Sequence, residues 1–148
     1  MRYKRLYTAI LAGLMFIFIA SLGNGIWNRP LDYTSWQYRA FHGVCHQMPE
    51  RSFHLNEVPM AVNTRCFGIF AGLLAAWLLV PYLMTVTVSK KWPGLILAVA
   101  VVIQIIDFIA GQFAVWNSTN FTRFILGIFL GIALVSMIAD QFNKTTNQ

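Results

Sequence analysis

Four long apolar runs constrain this 148-residue chain more than any other feature. They cover residues 6–27, 66–88, 92–113 and 121–139, and each is close to the roughly 20 helical residues that span a bilayer core. None alternates strictly between apolar and polar positions, which argues against a membrane β-barrel. A soluble alternative fails on composition. Only 11% of the residues are charged and 57% are hydrophobic, against about 25% charged in a typical soluble domain. The same richness in apolar residues excludes a disordered chain. With two cysteines it is not a disulfide-dense scaffold. The fold class expected is an all-α membrane protein of four transmembrane helices in one domain, 1–148.

The first run follows Arg2, Lys4 and Arg5, as a signal peptide would. Its apolar stretch is longer than the usual 7–15 residues of such a peptide. Gly23, Asn24 and Gly25 do not form a small-x-small cleavage site either. An uncleaved helix is expected.

Basic residues collect on the cytoplasmic side of membrane proteins. Every lysine falls in the N-terminal segment, the turn at Lys90 and Lys91, or the tail at Lys144. Both termini are therefore expected in the cytoplasm of a multi-pass protein of the cell (inner or plasma) membrane. The net charge of +6 then reads as a topology signal, and no nucleic-acid partner is implied. Trp27, Trp36, Trp92 and Trp116 fall near the expected boundaries, as interfacial aromatic residues do. Pro81 is expected to kink the second helix, and the tail 141–148 reads as a frayed polar end.

This topology leaves a short outer connection at 114–120, a tight inner turn at 89–91 and a long outer loop, 28–65. Such a loop is too long for a plain turn. Asp32, Thr34 or Ser35 can cap a short helix. Trp36, Ala40, Phe41 and Val44 would form its apolar stripe, with Gln37 and Arg39 facing away. That describes an amphipathic helix on the outer membrane surface, or a lid packed on the bundle. If it continued to His46, then His42, Cys45 and His46 would share one face. Cys45 and Cys66 are not spaced as in a zinc finger. Spacing leaves three readings open: a disulfide, a metal or reactive-thiol site, or two free structural thiols.

Polar residues converge at one depth. Counted at 1.5 Å per residue from Trp92, Asp107 lies about 22 Å along a core about 30 Å thick. Gln104 and Gln112 flank it, Arg65 and Cys66 open the second helix, and Ser118, Thr119, Asn120 and Arg123 open the fourth. An intramembrane carboxylate needs a partner, here Arg123 or Arg65. The pairing reads either as a structural ion pair or as part of a pocket at the outer leaflet. Gly68 with Gly72, and Gly127 with Gly131, give small-xxx-small pairs that favour close packing inside the bundle over dimerisation. Glycosylation sequons at Asn117 and Asn120 lie too near the membrane to carry weight.

The run Cys45-His46-Gln47-x-Pro49-Glu50-Arg51-Ser52-Phe53, then Pro59, then Arg65-Cys66-Phe67-Gly68-Ile69-Phe70-x-Gly72, resembles a family of small prokaryotic membrane proteins, domain of unknown function 2085. The family's later Asp, Gln and Ser-x-Asn-x-x-Arg-x-x-x-Gly positions fall on Asp107, Gln112, Ser118, Asn120, Arg123 and Gly127. Two departures stand out. The family has Cys-x-Arg-Cys where this chain has Asn63-Thr64-Arg65-Cys66, and Gly where it has Phe108. Three cysteines and a histidine, as the resemblance implies, would suit zinc or another transition metal. With Asn63 in place of a cysteine, either a weaker open site at Cys45, His46 and Cys66 or a disulfide is expected.

Three classes of function follow. In an enzyme acting on a lipid-like or quinone headgroup, Cys45 and His46 supply a nucleophile and base, or metal ligands. Glu50 is then a general acid or base, and Asp107 orients a substrate hydroxyl or an arginine. Arg51, Arg65 and Arg123 bind an anionic group, with Ser52, Ser118 and Asn120 beside them. In a non-catalytic redox, metal-sensing or assembly module, Cys45 and Cys66 switch state and the loop docks a protein partner or a second copy. In an ion or metal carrier, Gln104, Asp107 and Gln112 line the path, although the inner half of the bundle looks sealed. Membrane lipids are the one partner common to all three. The chain has no P-loop, dinucleotide fingerprint, His-Glu-x-x-His or haem-attachment motif.

Overall fold

The computed structural model describes residues 2–83, 92–113 and 118–146. The turn at Lys90 and Lys91, Trp116 and the sequon at Asn117 lie outside them.

Four helices are long and apolar enough to cross a membrane. They are α1 (Arg2–Ser21), α3 (Thr64–Leu83), α4 (Trp92–Gln112) and α5 (Asn120–Thr146), with the short α2 (Trp36–Phe41) between the first two. Twenty residues in α1 and in α3 give about 30 Å of helix, one core thickness. Two boundaries differ from the sequence reading. α1 stops at Ser21 and is followed by a 3-10 turn, Gly23–Trp27. Gly23 has φ +69°, which a helix cannot continue through, and a β-carbon there would lie 2.9 Å from the Ala61 nitrogen and 3.2 Å from the Tyr38 hydroxyl. At the other end, α5 runs on through Thr146, so the expected frayed tail is helical as far as that residue.

α5 packs on both α3 and α4, and α1 packs on α3. The α3–α5 seam is made of glycine. A β-carbon on Gly68 or Gly72 would lie 2.2 Å or 2.3 Å from a carbonyl oxygen of α5. One on Gly127 or Gly131 would lie 2.3 Å or 2.5 Å from a carbonyl oxygen of α3. Backbone therefore meets backbone, as small-residue pairs permit. α1 is held by Tyr7, which stacks on Trp77 at 5.8 Å, and by Ile10, Leu11 and Leu14 against Trp77, Val80 and Val135. α3 and α4 share no extended packed face, and each packs on α5 instead.

The long loop folds as a cap over one end of this bundle. α2 turns Gln37, Tyr38 and Phe41 inward, followed by Cys45. Of the expected stripe Phe41 turns inward, and so does Gln37, which was expected to face away; Trp36, Ala40 and Val44 are exposed, as is His42 beyond the end of the helix. The short helix lies on protein, so its inner face must satisfy loop carbonyls as well as bury apolar surface. Tyr38 does both. Its hydroxyl donates to the Pro59 carbonyl, and burial pushes its pKa up to about 12, keeping the proton on the donor. Trp36 instead stacks on Phe16 of α1 at 5.8 Å, on the outer surface.

A two-stranded hairpin completes the cap, β1 (His54–Leu55) pairing antiparallel with β2 (Val58–Pro59). Its turn residues Asn56 and Glu57 both have positive φ, +50° and +66°, as the tightest hairpins require. Asn56 Nδ2 donates to the Gly25 carbonyl at 2.9 Å, and the Ala61 N–H donates to the Ser21 carbonyl at 3.1 Å. The cap is thereby tied to the end of α1. Phe53 meets Phe124 of α5 at 5.5 Å and Phe67 of α3 at 6.3 Å, which ties the cap to the bundle.

Candidate functional site

Much of the distinctive 45–53 run is scaffold. Gln47 has φ +51°, and its Nε2 donates to the carbonyls of Tyr38 at 2.8 Å and Ala61 at 2.9 Å. The Met48 N–H donates to Asn63 Oδ1 at 2.8 Å. The buried Ser52 hydroxyl bonds the Met48 carbonyl at 2.9 Å and reaches Asn63 Oδ1 at 3.3 Å. Asn120 Nδ2, opening α5, donates to the Glu50 carbonyl at 3.2 Å and stands 3.5 Å from that of Ser52. Ser52 and Asn120 are thus engaged in holding the loop, and the Glu50 side chain is exposed on its outer surface. The part played by Asn63 was missed in the sequence, where it stood out only as a residue replacing a family cysteine.

What this scaffold holds up is a cavity of about 560 Å³ at the junction of the loop with α3, α4 and α5. Its walls bring together Cys45, His46, Arg51, Arg65, Cys66, Asp107, Ser118 and Arg123. The other lining residues are Val44, Met48, Asn63, Phe108 and Gly111. Eight of the eleven residues singled out as candidates therefore surround one space, and Glu50, Ser52 and Asn120 stand outside it. The side chain of Gln112 lies outside the described residues.

Charge in the cavity is unbalanced. Arg65 Nη2 pairs with Asp107 Oδ2, bridging α3 to α4. The Asp107 side chain is 8% exposed, and the Ser118 hydroxyl approaches the same oxygen at 3.5 Å. Arg51 and Arg65 both lie close enough to Arg123 to repel it. Among the described residues, neither Arg51 nor Arg123 has a carboxylate at ion-pair distance. Three guanidinium groups thus face one carboxylate.

Cys45 and Cys66 are free thiols, not a disulfide. Cys45 Sγ accepts a hydrogen bond from the backbone N–H of Asn63 at 3.2 Å, and the Cys66 thiol and the Gln47 backbone N–H lie near enough to favour its anion. Together they hold the Cys45 pKa down to about 6, with Cys66 the largest cause and nearby His46 the smallest. A metal centre fits the residues less well. Among the described residues, no three His, Cys, Asp or Glu side chains are grouped to hold an ion. Asn63, which replaces the third cysteine, spends its amide oxygen on Met48 and Ser52.

Comparison with known proteins agrees with the motif. A protein of Methanocaldococcus jannaschii, described as uncharacterised, is 32% identical over 108 residues, covering 71% of this chain and 67% of the relative. Another, of Methanothermobacter thermautotrophicus, is 32% identical over 95 residues, 64% of this chain and 83% of the relative. No solved structure matches. The model of the family described as "Predicted membrane protein (DUF2085)" matches residues 45–137, from Cys45 of the cap through the cavity to the far part of α5, and the chain belongs to that family.

Proposed function

We propose that this membrane protein binds an amphiphile with an anionic headgroup, seated in the cavity where the cap meets α3, α4 and α5. The observation that carries the reading is the arginine excess in that cavity, at one end of helices long and apolar enough to cross a membrane. Arg51 and Arg123 are free to hold phosphate or carboxylate oxygens through their forked donors. Arg65 is held by Asp107 and bridges α3 to α4. Exposed Phe108 and Val44 give the same cavity an apolar edge. A chain attached to the headgroup could then lie between α3 and α4, over α5. The cavity end is opposite the start of α1 with Lys4 and Arg5, and the basic-residue bias supports an extracytoplasmic position for it.

The test is lipid binding to the full chain in nanodiscs of zwitterionic lipid, titrated with a fluorescent anionic lipid and a fluorescent zwitterionic one. The anionic probe is expected to bind selectively. Each of Arg51→Ala and Arg123→Ala should weaken it by about tenfold or more, since a hydrogen bond to a charged group is worth about 1.5–3 kcal/mol. Equal binding of the two probes, or no effect of either substitution, would overturn the reading.

A further inference from the structure

The two cysteines call for an account of their own, because anion binding needs neither. We infer that Cys45 and Cys66 form a dithiol centre that exchanges with a disulfide carried by an anionic molecule, Cys45 attacking and Cys66 resolving. Three observations carry this. The thiols are unbridged and line one cavity together. The Asn63 N–H at 3.2 Å points at Cys45 Sγ, so the sulfur sits in a nest of donors fixed by the cap. Both cysteines line the cavity, whose cations Arg51 and Arg123 would draw in a negatively charged disulfide. The nest also lowers the proton affinity of Cys45, in keeping with its place as the attacking sulfur.

The chemistry balances in two displacements. Cys45 thiolate attacks one sulfur of RS–SR, forming a Cys45–SR mixed disulfide and releasing RS⁻. That thiolate takes the Cys66 proton, and Cys66 sulfur attacks Cys45 Sγ, expelling the second RS⁻, which is protonated from water. Two thiols and one disulfide become one Cys45–Cys66 disulfide and two RSH. The protein loses two electrons and the substrate gains them. The two sulfurs must close to about 2.05 Å for the final bond. The lipid reading shares the arginines but not the cysteines, so either can fail while the other stands.

The experiment uses the full chain in detergent, with dithiobis(nitrobenzoate) as a dianionic disulfide and dithiodipyridine as a neutral one. Wild type is expected to release two thionitrobenzoates per chain and to end with an internal bridge and no retained label, read by intact mass. Cys66→Ser should release one and keep the label on Cys45. Arg51→Gln, an exposed position outside the sulfur nest, should slow the dianionic reagent by about tenfold relative to the neutral one, as loss of a steering charge does. If the cysteine variant fails to fold, the wild-type end product and the Arg51→Gln rate ratio still decide. Labels retained on both wild-type cysteines would overturn the inference. So would an unchanged rate ratio in Arg51→Gln.

Discussion

At the scale of single residues, the site depends on side chains whose neighbours set their chemistry. Cys45 is the clearest case. Its pKa of about 6 comes first from the Cys66 S–H, then from the backbone N–H groups of Asn63 and Gln47, acting against burial. Arg51, Arg65, Arg123, Asp107 and His46 are the other charged or titratable groups lining its cavity beside Cys66. An ordinary thiol ionises near 8.5, so the folded form should alkylate with a rate that rises through about pH 6 and then levels. The denatured chain should rise about two to three units higher. The sign follows from the direction: the anion is favoured by folding, so this contribution to stability is present at high pH and fades as pH falls through about 6. Iodoacetamide labelling against pH, located at Cys45 by peptide mass, checks it. Cys66→Ala should move the midpoint upward, and an unmoved midpoint would remove Cys66 as the main cause. The cysteines, arginines and Asp107 were legible in the sequence, since each is costly at a membrane interface without a task. Asn63, Ser52 and Asn120 were not, because an amide or hydroxyl that binds a backbone carbonyl is indistinguishable from one that binds a ligand until the chain is folded.

At the scale of elements, what was legible depended on length. The four spans were readable because about 20 apolar residues leave few alternatives. The hairpin was not, since strands of two residues at His54–Leu55 and Val58–Pro59 carry no periodicity. The face of α2 was misread for a related reason. Six residues make fewer than two turns, and Tyr38 is drawn inward by the carbonyl of Pro59, distant in sequence. The glycine seam was legible as spacing, and the structure adds its purpose. It brings α3 and α5 close enough for Arg65, Cys66 and Arg123 to share a cavity. Gly127→Ala should therefore act on both stability and site. Its β-carbon would sit 2.3 Å from the Arg65 carbonyl oxygen, and the helices must part. Overpacking of this kind costs about 1–3 kcal/mol, expected as a lower melting temperature in detergent together with a slower Cys45 reaction. Gly111→Ala, at a glycine with nothing within 4 Å of an added β-carbon, is the control. Equal melting temperatures for the two variants would contradict the seam.

At the scale of the whole molecule, the distribution of work between the two ends of the bundle is the main result. The cap, the ion pair and the cavity all gather where α1 ends, α3 begins, α4 ends and α5 begins. The opposite end starts with Lys4 and Arg5 of α1. An acid buried in a membrane helix is tolerated only with a partner, and here the partner is an arginine on a different helix, so the polar end holds together only when α3 and α4 are both in place. That makes the membrane orientation of the chain a statement about which compartment the cavity samples. Lysine and arginine bias topology most strongly through short segments next to the spans, and the N-terminal segment is such a segment. Single cysteines introduced in a Cys45→Ser, Cys66→Ser background report on this directly. Val44→Cys, on an exposed part of the cap, should react with a membrane-impermeant maleimide in intact cells. Lys4→Cys, also exposed, should react only after permeabilisation. The reverse pattern would turn the bundle over, placing the arginine cavity on the cytoplasmic side, where a reducing environment would keep the dithiol reduced and its exchange partner would have to be sought among cytoplasmic disulfides.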